Sequence, residues 1–182
     1  EGSAAAGDDN IANSLTTTDW EAVAAFLGME PVRPGYLPEG WHVGQYHAVR
    51  FDDELILNIS YINEDDPIAT LIFLWDHYFS TEAANLALEQ NNDGELVEIG
   101  GIRVYRSANI EKNRFVWIDG MSVCSLTTTC DVGEAEAIVS SFREQKNIEN
   151  VENVLSRRKK LSVKQKLQVL RCRCAEKWVC LS

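Results

Sequence analysis

Phe115-Val116-Trp117-Ile118-Asp119-Gly120-Met121-Ser122-Val123-Cys124 is the stretch that decides the fold. Two short runs rich in β-branched and aromatic residues flank Asp119-Gly120. That dipeptide accepts the positive φ demanded by a two-residue type I′ turn, so the runs are expected to pair as an antiparallel hairpin. A second hairpin lies just upstream, where Leu96-Val97-Glu98-Ile99 and Ile102-Arg103-Val104-Tyr105 flank Gly100-Gly101.

Further toward the N-terminus, Ile68 to Trp75 is apolar on both faces and reads as a central strand. Leu55, Leu57, Ile59 and Tyr61 alternate with Ile56, Asn58, Ser60 and Ile62, the period of 2 expected for a strand with one strongly apolar face. Asn63-Glu64-Asp65-Asp66-Pro67 reverses the chain between these two strands, and Trp41 to Arg50 reads as the first strand. Before it, Pro34-Gly35-Tyr36-Leu37-Pro38-Glu39-Gly40-Trp41 is an irregular lead-in, because proline locks φ and glycine permits φ > 0.

Helices punctuate both ends. Thr18 with Glu21 reads as a capping box, Trp20, Val23, Ala24 and Leu27 form one apolar stripe, and Gly28 ends the helix over 19–27. Ser80 to Gln90 is a short alanine-rich helix. Asp131 with Glu134 caps a last helix whose Val132, Ala135, Ile138, Val139 and Phe142 face one way. The order predicts an α+β fold with a single antiparallel sheet, built from a meander and hairpins, packed against N- and C-terminal helices.

Charge divides the 182-residue chain. Residues 146–182 hold ten Lys/Arg and three Glu, a balance of +7, and the other 145 residues carry −18 of the −11 total. A body this acidic repels phosphate backbones, which excludes nucleic acid as its partner. Three regions follow: a polar linker over 1–15, an α+β domain over 16–145, and a basic tail over 146–182. The opening Glu1-Gly-Ser-Ala-Ala-Ala-Gly-Asp-Asp-Asn10 reads either as the stub left when an export signal or anchor is removed, or as an artificial boundary. In the tail, Leu161, Lys164, Leu167 and Leu170 suit a basic amphipathic helix that lies on an anionic membrane. Cys172, Cys174 and Cys180 lack an apparent fourth metal ligand, their pairing is open, and the tail is assigned no function.

Four segments carry a family resemblance: Tyr36-Leu37-Pro38-Glu39-Gly40-Trp41, Glu98-Ile99-Gly100-Gly101-Ile102-Arg103-Val104-Tyr105, Phe115-Val116-Trp117-Ile118-Asp119-Gly120, and the final helix reaching Ser141-Phe142. Over about residues 30–143 the chain resembles a bacterial extracytoplasmic family of domains of unknown function, found in anti-sigma-factor-like membrane proteins and lipoproteins. The resemblance implies a curved sheet wrapping helices, as in half of a lipoprotein-carrier fold. It also implies a place in the cell envelope, through an N-terminal membrane anchor or as a secreted protein, and partners such as a lipid, a peptide or an envelope protein. Its motifs are structural rather than catalytic.

The chemistry-bearing residues point the same way. His42 and His47, five apart in one strand, are expected on opposite faces, and His77 at a strand end is expected to be solvated or hydrogen-bonded. Asp52-Asp53-Glu54 and Glu64-Asp65-Asp66 are expected in turns at neighbouring strand ends, where they aid solubility; they lack the spacing of a calcium loop. Cys124 and Cys130 are expected to form a disulfide clipping the last helix to the sheet, with buried thiols as the alternative. Trp75, Trp117, Tyr105 and Tyr61 are the candidate binding residues, on an apolar concave surface for a lipid, peptide or partner helix, with core packing as the plainer reading. Trp75 and Trp117 are expected to be partly open. No catalytic residue, metal site or cofactor is expected. The expected function is a non-enzymatic sensing or binding module. A structural envelope domain is the alternative, followed by a hydrolase without a recognisable catalytic motif.

Overall fold

In a computed structural model, which describes residues 13–109 and 111–142, ten named elements run in the order β1 (Ser14–Thr17), α1 (Trp20–Leu27), β2 (Trp41–Arg50), β3 (Glu54–Asn63), β4 (Leu71–Tyr78), α2 (Thr81–Asn91), β5 (Glu95–Ile99), β6 (Ile102–Ala108), β7 (Asn113–Asp119) and β8 (Ser122–Thr128). A third helix, α3, occupies 132–142. All eight strands form one open, curved antiparallel sheet of order β1-β2-β3-β4-β8-β7-β6-β5. Two four-stranded meanders are therefore joined at the centre by the β4–β8 pairing, and α2 carries the chain from the centre to the far edge. The α+β fold read from the sequence is the fold observed. The chain divides into units 1–142 and 143–182. The basic tail with Cys172, Cys174 and Cys180 lies outside the described residues.

Strand register builds the core in transverse rows. Ile59, Phe73, Leu126 and Phe115 face one another across four strands, and Leu57, Trp75, Cys124 and Trp117 form the next row. All eight are buried. α1 covers one half of this first face, with Val23 and Leu27 buried and Trp20 tilted against Tyr46. α3 covers the other half through Ala135, Ile138, Val139 and Phe142. Val132, expected on the same stripe, is instead exposed, at the first position of the helix. The Pro/Gly lead-in docks on α3, where the Gly35 N–H donates to Ser141 Oγ at 3.0 Å.

α2 packs on the opposite face. Ala84 on α2 is buried, and Arg114, from the second face of β7, reaches the Asn91 carbonyl and Asp93 Oδ1 at the end of α2. Val116 and Val123 are buried beneath it. Beyond α2 the second face is only partly covered.

Several local features differ from the sequence reading. The α1 N-cap is Asp19, whose Oδ1 accepts from the Glu21 and Ala22 N–H groups, so Thr18 is not the cap. Asp19 is one position nearer the helix and has the extended φ of −96° that a cap requires. The Asp131 cap and the left-handed Gly28 terminus are as expected. Gly100 and Gly101 both have positive φ, the signature of type I′. In the other hairpin Asp119 pairs with Ser122, so the loop is Gly120-Met121, and only Gly120 has positive φ. That is the pattern of a type II′ turn, which needs one permissive residue rather than two. β1 has no strand signature of its own: Ser14 and Leu15 fall in the stretch expected as linker, and the β2 edge recruits them.

Candidate functional site

The candidate aromatic residues are mostly core. Trp75 and Trp117 are each 2% exposed, and Tyr61 is buried two same-face rows away, opposite Leu71. Trp75 stacks on His77 at 5.3 Å, and Trp117 lies 6.0 Å from Phe73 and 5.1 Å from Phe142. The expectation that the two indoles are partly open is therefore corrected. Their odd-numbered positions place them on the face that α1 and α3 cover, and α3 brings Phe142 directly onto Trp117. Burial raises the Tyr61 phenol well above its usual range, with Tyr46 adding to the effect. Tyr105 is on the second face, across from Leu96 and Val116, and half-buried. The structure brings Trp75 and Trp117 into one row and leaves Tyr61 and Tyr105 apart from it.

No disulfide joins Cys124 to Cys130. Cys124 sits in the buried row with Trp75 and Trp117, and β8 runs on to Thr128 before Cys130. At roughly 3.3 Å per strand residue this separation is about 13 Å or more, far beyond disulfide reach. Burial raises the Cys130 thiol pKa. Mass spectrometry of unreduced, denatured protein is expected to find both thiols alkylated; a linked peptide would overturn the observed spacing.

The histidines are also repositioned. The β2–β3 register shifts between Val43 and Gln45, so His42 opposes Ile62 and His47 opposes Asn58. Both then project from the same face rather than opposite faces. A Cβ at the intervening Gly44 would come within 2.6 Å of Ile62 Cγ1, which is why glycine stands at this bulge. Four β3 positions separate their partners, about 13 Å, and each has its own bond. His42 pairs with Glu64 at 3.7 Å, and His47 Nδ1 meets Thr16 Oγ1 at 2.9 Å. His77 is buried, shares a 2.9 Å hydrogen bond with Ser122, and is held below its ordinary pKa by desolvation. Among the described residues no cluster suits a metal ion.

The two acidic turns lie at opposite ends of β3, about 30 Å apart, rather than at neighbouring ends. Glu64-Asp65-Asp66 is held by Asn63 Oδ1, which accepts from the Asp65 and Asp66 N–H groups at 2.8 and 3.1 Å. Asp52-Asp53-Glu54 has a different setting. Asp53 and Glu54 form one side of an open cleft of about 440 Å³ between the β3–β4 strand ends and α2. Tyr78, Phe79 and Ser80 lie along its floor, and Ala83, Leu86, Ala87 and Gln90 of α2 form the facing wall. Phe79 and Leu86 are each 57% exposed, large apolar side chains presented to solvent beside two carboxylates.

Register explains this arrangement. Glu54 opposes Tyr78, and Asp76 opposes Ile56 one same-face step inward. Burial, and secondarily the Glu54 charge, lift the Asp76 carboxyl to about 7. The Tyr78 phenol is also raised, first by burial and then by its hydrogen bond to Glu54. Asp76 Oδ1 and Asn58 Oδ1, buried on the same face, accept no hydrogen bond among the described residues. The sequence signal for this site is one acid, Asp76, in an otherwise apolar strand, followed by the aromatic pair Tyr78-Phe79 at its end. The aromatic count instead drew attention to Trp75 and Trp117.

Comparison with known proteins finds no matching family model, no matching curated protein and no matching solved structure.

Proposed function

We propose that residues 14–142 form a non-enzymatic binding or sensing module whose recognition site is the cleft between α2 and the β3–β4 strand ends. The observation that carries this reading is the cleft itself. It has the volume of a small-molecule site, and it sets exposed Phe79 and Leu86 against Asp53 and Glu54. Its one hydroxyl–carboxylate pair, Tyr78 with Glu54, has the phenol pushed up by burial, the reverse of the lowered pKa that activates a nucleophile. The resemblance over residues 30–143 supports an extracytoplasmic place for the module, within a membrane-anchored protein or lipoprotein.

The test is a backbone-amide NMR screen with small cationic, anionic and neutral amphiphiles. At least one class should shift signals from residues 53–54 and 78–90, and a combined Phe79→Ala, Leu86→Ala protein should bind it about tenfold less tightly. That loss corresponds to two apolar contacts of roughly 0.7 kcal/mol each. Absence of shifts in that segment with every class would leave the structural envelope domain as the better reading.

A further inference from the structure

We propose that this cleft is selective for a primary alkylammonium ligand, its charged head against Asp53 and Glu54 and its alkyl chain along Phe79 and Leu86. The proposal rests on the binding reading above and adds the chemical class of the ligand.

The charged groups lining the cleft are both carboxylates. Asp53 and Glu54 supply carboxylates, and no salt bridge engages either among the described residues. Neither Lys nor Arg lines the cleft. Glu54 takes the Tyr78 hydroxyl hydrogen, yet a carboxylate has about four acceptor positions, so most of its capacity remains. The two carboxylates thus form the charged wall of the cleft.

An ammonium head is the complement of that wall, since it carries three donors and no acceptor. A hydroxyl has one donor and would leave most of the acceptors unmet. A carboxylate or phosphate would add a like charge beside Asp53 and Glu54. The one feature that would favour an anion, the positive end of α2, is already satisfied by its own cap: Ser80 Oγ accepts from the Ala83 N–H, and Glu82 lies in the first turn. The floor and the opposite wall supply the apolar contact: Phe79 on the floor and Ala83, Leu86 and Ala87 of α2 line the cleft, and the volume of about 440 Å³ accommodates an alkyl chain of moderate length.

Isothermal titration of the full chain at low ionic strength with n-octylammonium, octanoate and n-octanol tests this, because the three ligands share one chain length and differ in the head. Octylammonium is expected to bind at least tenfold more tightly than either of the others and to weaken as salt is raised. Asp53→Asn and Glu54→Gln are each expected to reduce octylammonium affinity severalfold, and the two together by tenfold or more. Asp53 is exposed, so its variant tests the charge without disturbing the Tyr78–Asp76 side of the site. Phe79→Ala should weaken all three ligands. If octanoate or octanol binds as well as octylammonium and Phe79→Ala weakens each, the cleft is a binding site and the cation selectivity is wrong. If none of the three binds, both the selectivity and the cleft as a recognition site fall.

Discussion

Replacing Asp76 by asparagine is expected to stabilise the domain by about 2–3 kcal/mol at pH 8 and to leave it nearly unchanged at pH 4. The folded carboxyl titrates near 7, against an ordinary value of 3.8. Below pH 4 both folded and unfolded chains hold the proton, so there is no penalty. Between pH 4 and 7 the unfolded chain releases its proton while the folded chain retains it, and stability falls as pH rises. Above pH 7 both are ionised, and the fold carries a poorly solvated carboxylate. The rise from 3.8 to about 7 corresponds to a ceiling of roughly 4 kcal/mol. Asp76 retains some contact with solvent, which screens the charge and lowers the expected figure.

The groups surrounding Asp76 set the sign. Glu54 on β3 repels the ionised form, Tyr78 on β4 already donates to Glu54, and the cleft-facing residues of α2, Ala83, Leu86, Ala87 and Gln90, carry no charge. Asparagine keeps the shape and removes the charge. Urea midpoints at pH 4, 6 and 8 provide the measurement. His77, held below its ordinary pKa by desolvation, contributes the opposite slope in this window and is common to both proteins, so the difference between wild type and Asp76→Asn is the quantity read. A difference that stays flat from pH 4 to 8 would show that Asp76 is solvated.

Truncation of Phe142 to alanine is expected to cost about 3–5 kcal/mol, the range for a large aromatic lost from a packed core. Its ring centroid lies 4.7 Å from Phe73 and 5.1 Å from Trp117, and the side chain is almost fully buried. It is the contact that seats α3 on the central rows of the sheet, so its removal leaves a cavity bordered by Phe73 and Trp117. The near-ultraviolet circular dichroism of the indoles should change with it. Val132→Ala, on the exposed side of the first α3 turn, is the control and should shift stability by no more than about 0.5 kcal/mol. A loss below about 1 kcal/mol for Phe142→Ala would mean that α3 is not part of the core.

How much of this protein was legible in its sequence depends on the distance over which each feature is determined. The alternation from Leu55 to Ile62, the Gly100-Gly101 turn, the Gly28 terminus and the Asp131 cap all follow from contacts within a few residues, and all could be read directly. So could the α+β class, because hairpins and meanders constrain which strands become neighbours. Even there, local chemistry left choices open. Asp119-Gly120 permits a type I′ turn, but the pairing of Asp119 with Ser122 selects a type II′ turn one residue further on.

Tertiary structure alone decided the rest. A one-residue bulge at Gly44 moved His42 onto the face of His47, because a single extra residue reverses every side chain on one side of it. β3 held the acidic turns at its two ends, and extended β8 held Cys124 away from Cys130. α1 and α3 closed over Trp75 and Trp117, whose aromatic character is compatible equally with a core and with a binding surface. α2 took the other face and left Phe79 and Leu86 beside Asp53, Glu54 and the inward Asp76. Those residues are distributed over a turn, two strands and a helix, and no local pattern joins them. Backbone register between β3 and β4, together with the face chosen by α2, is what makes them one site.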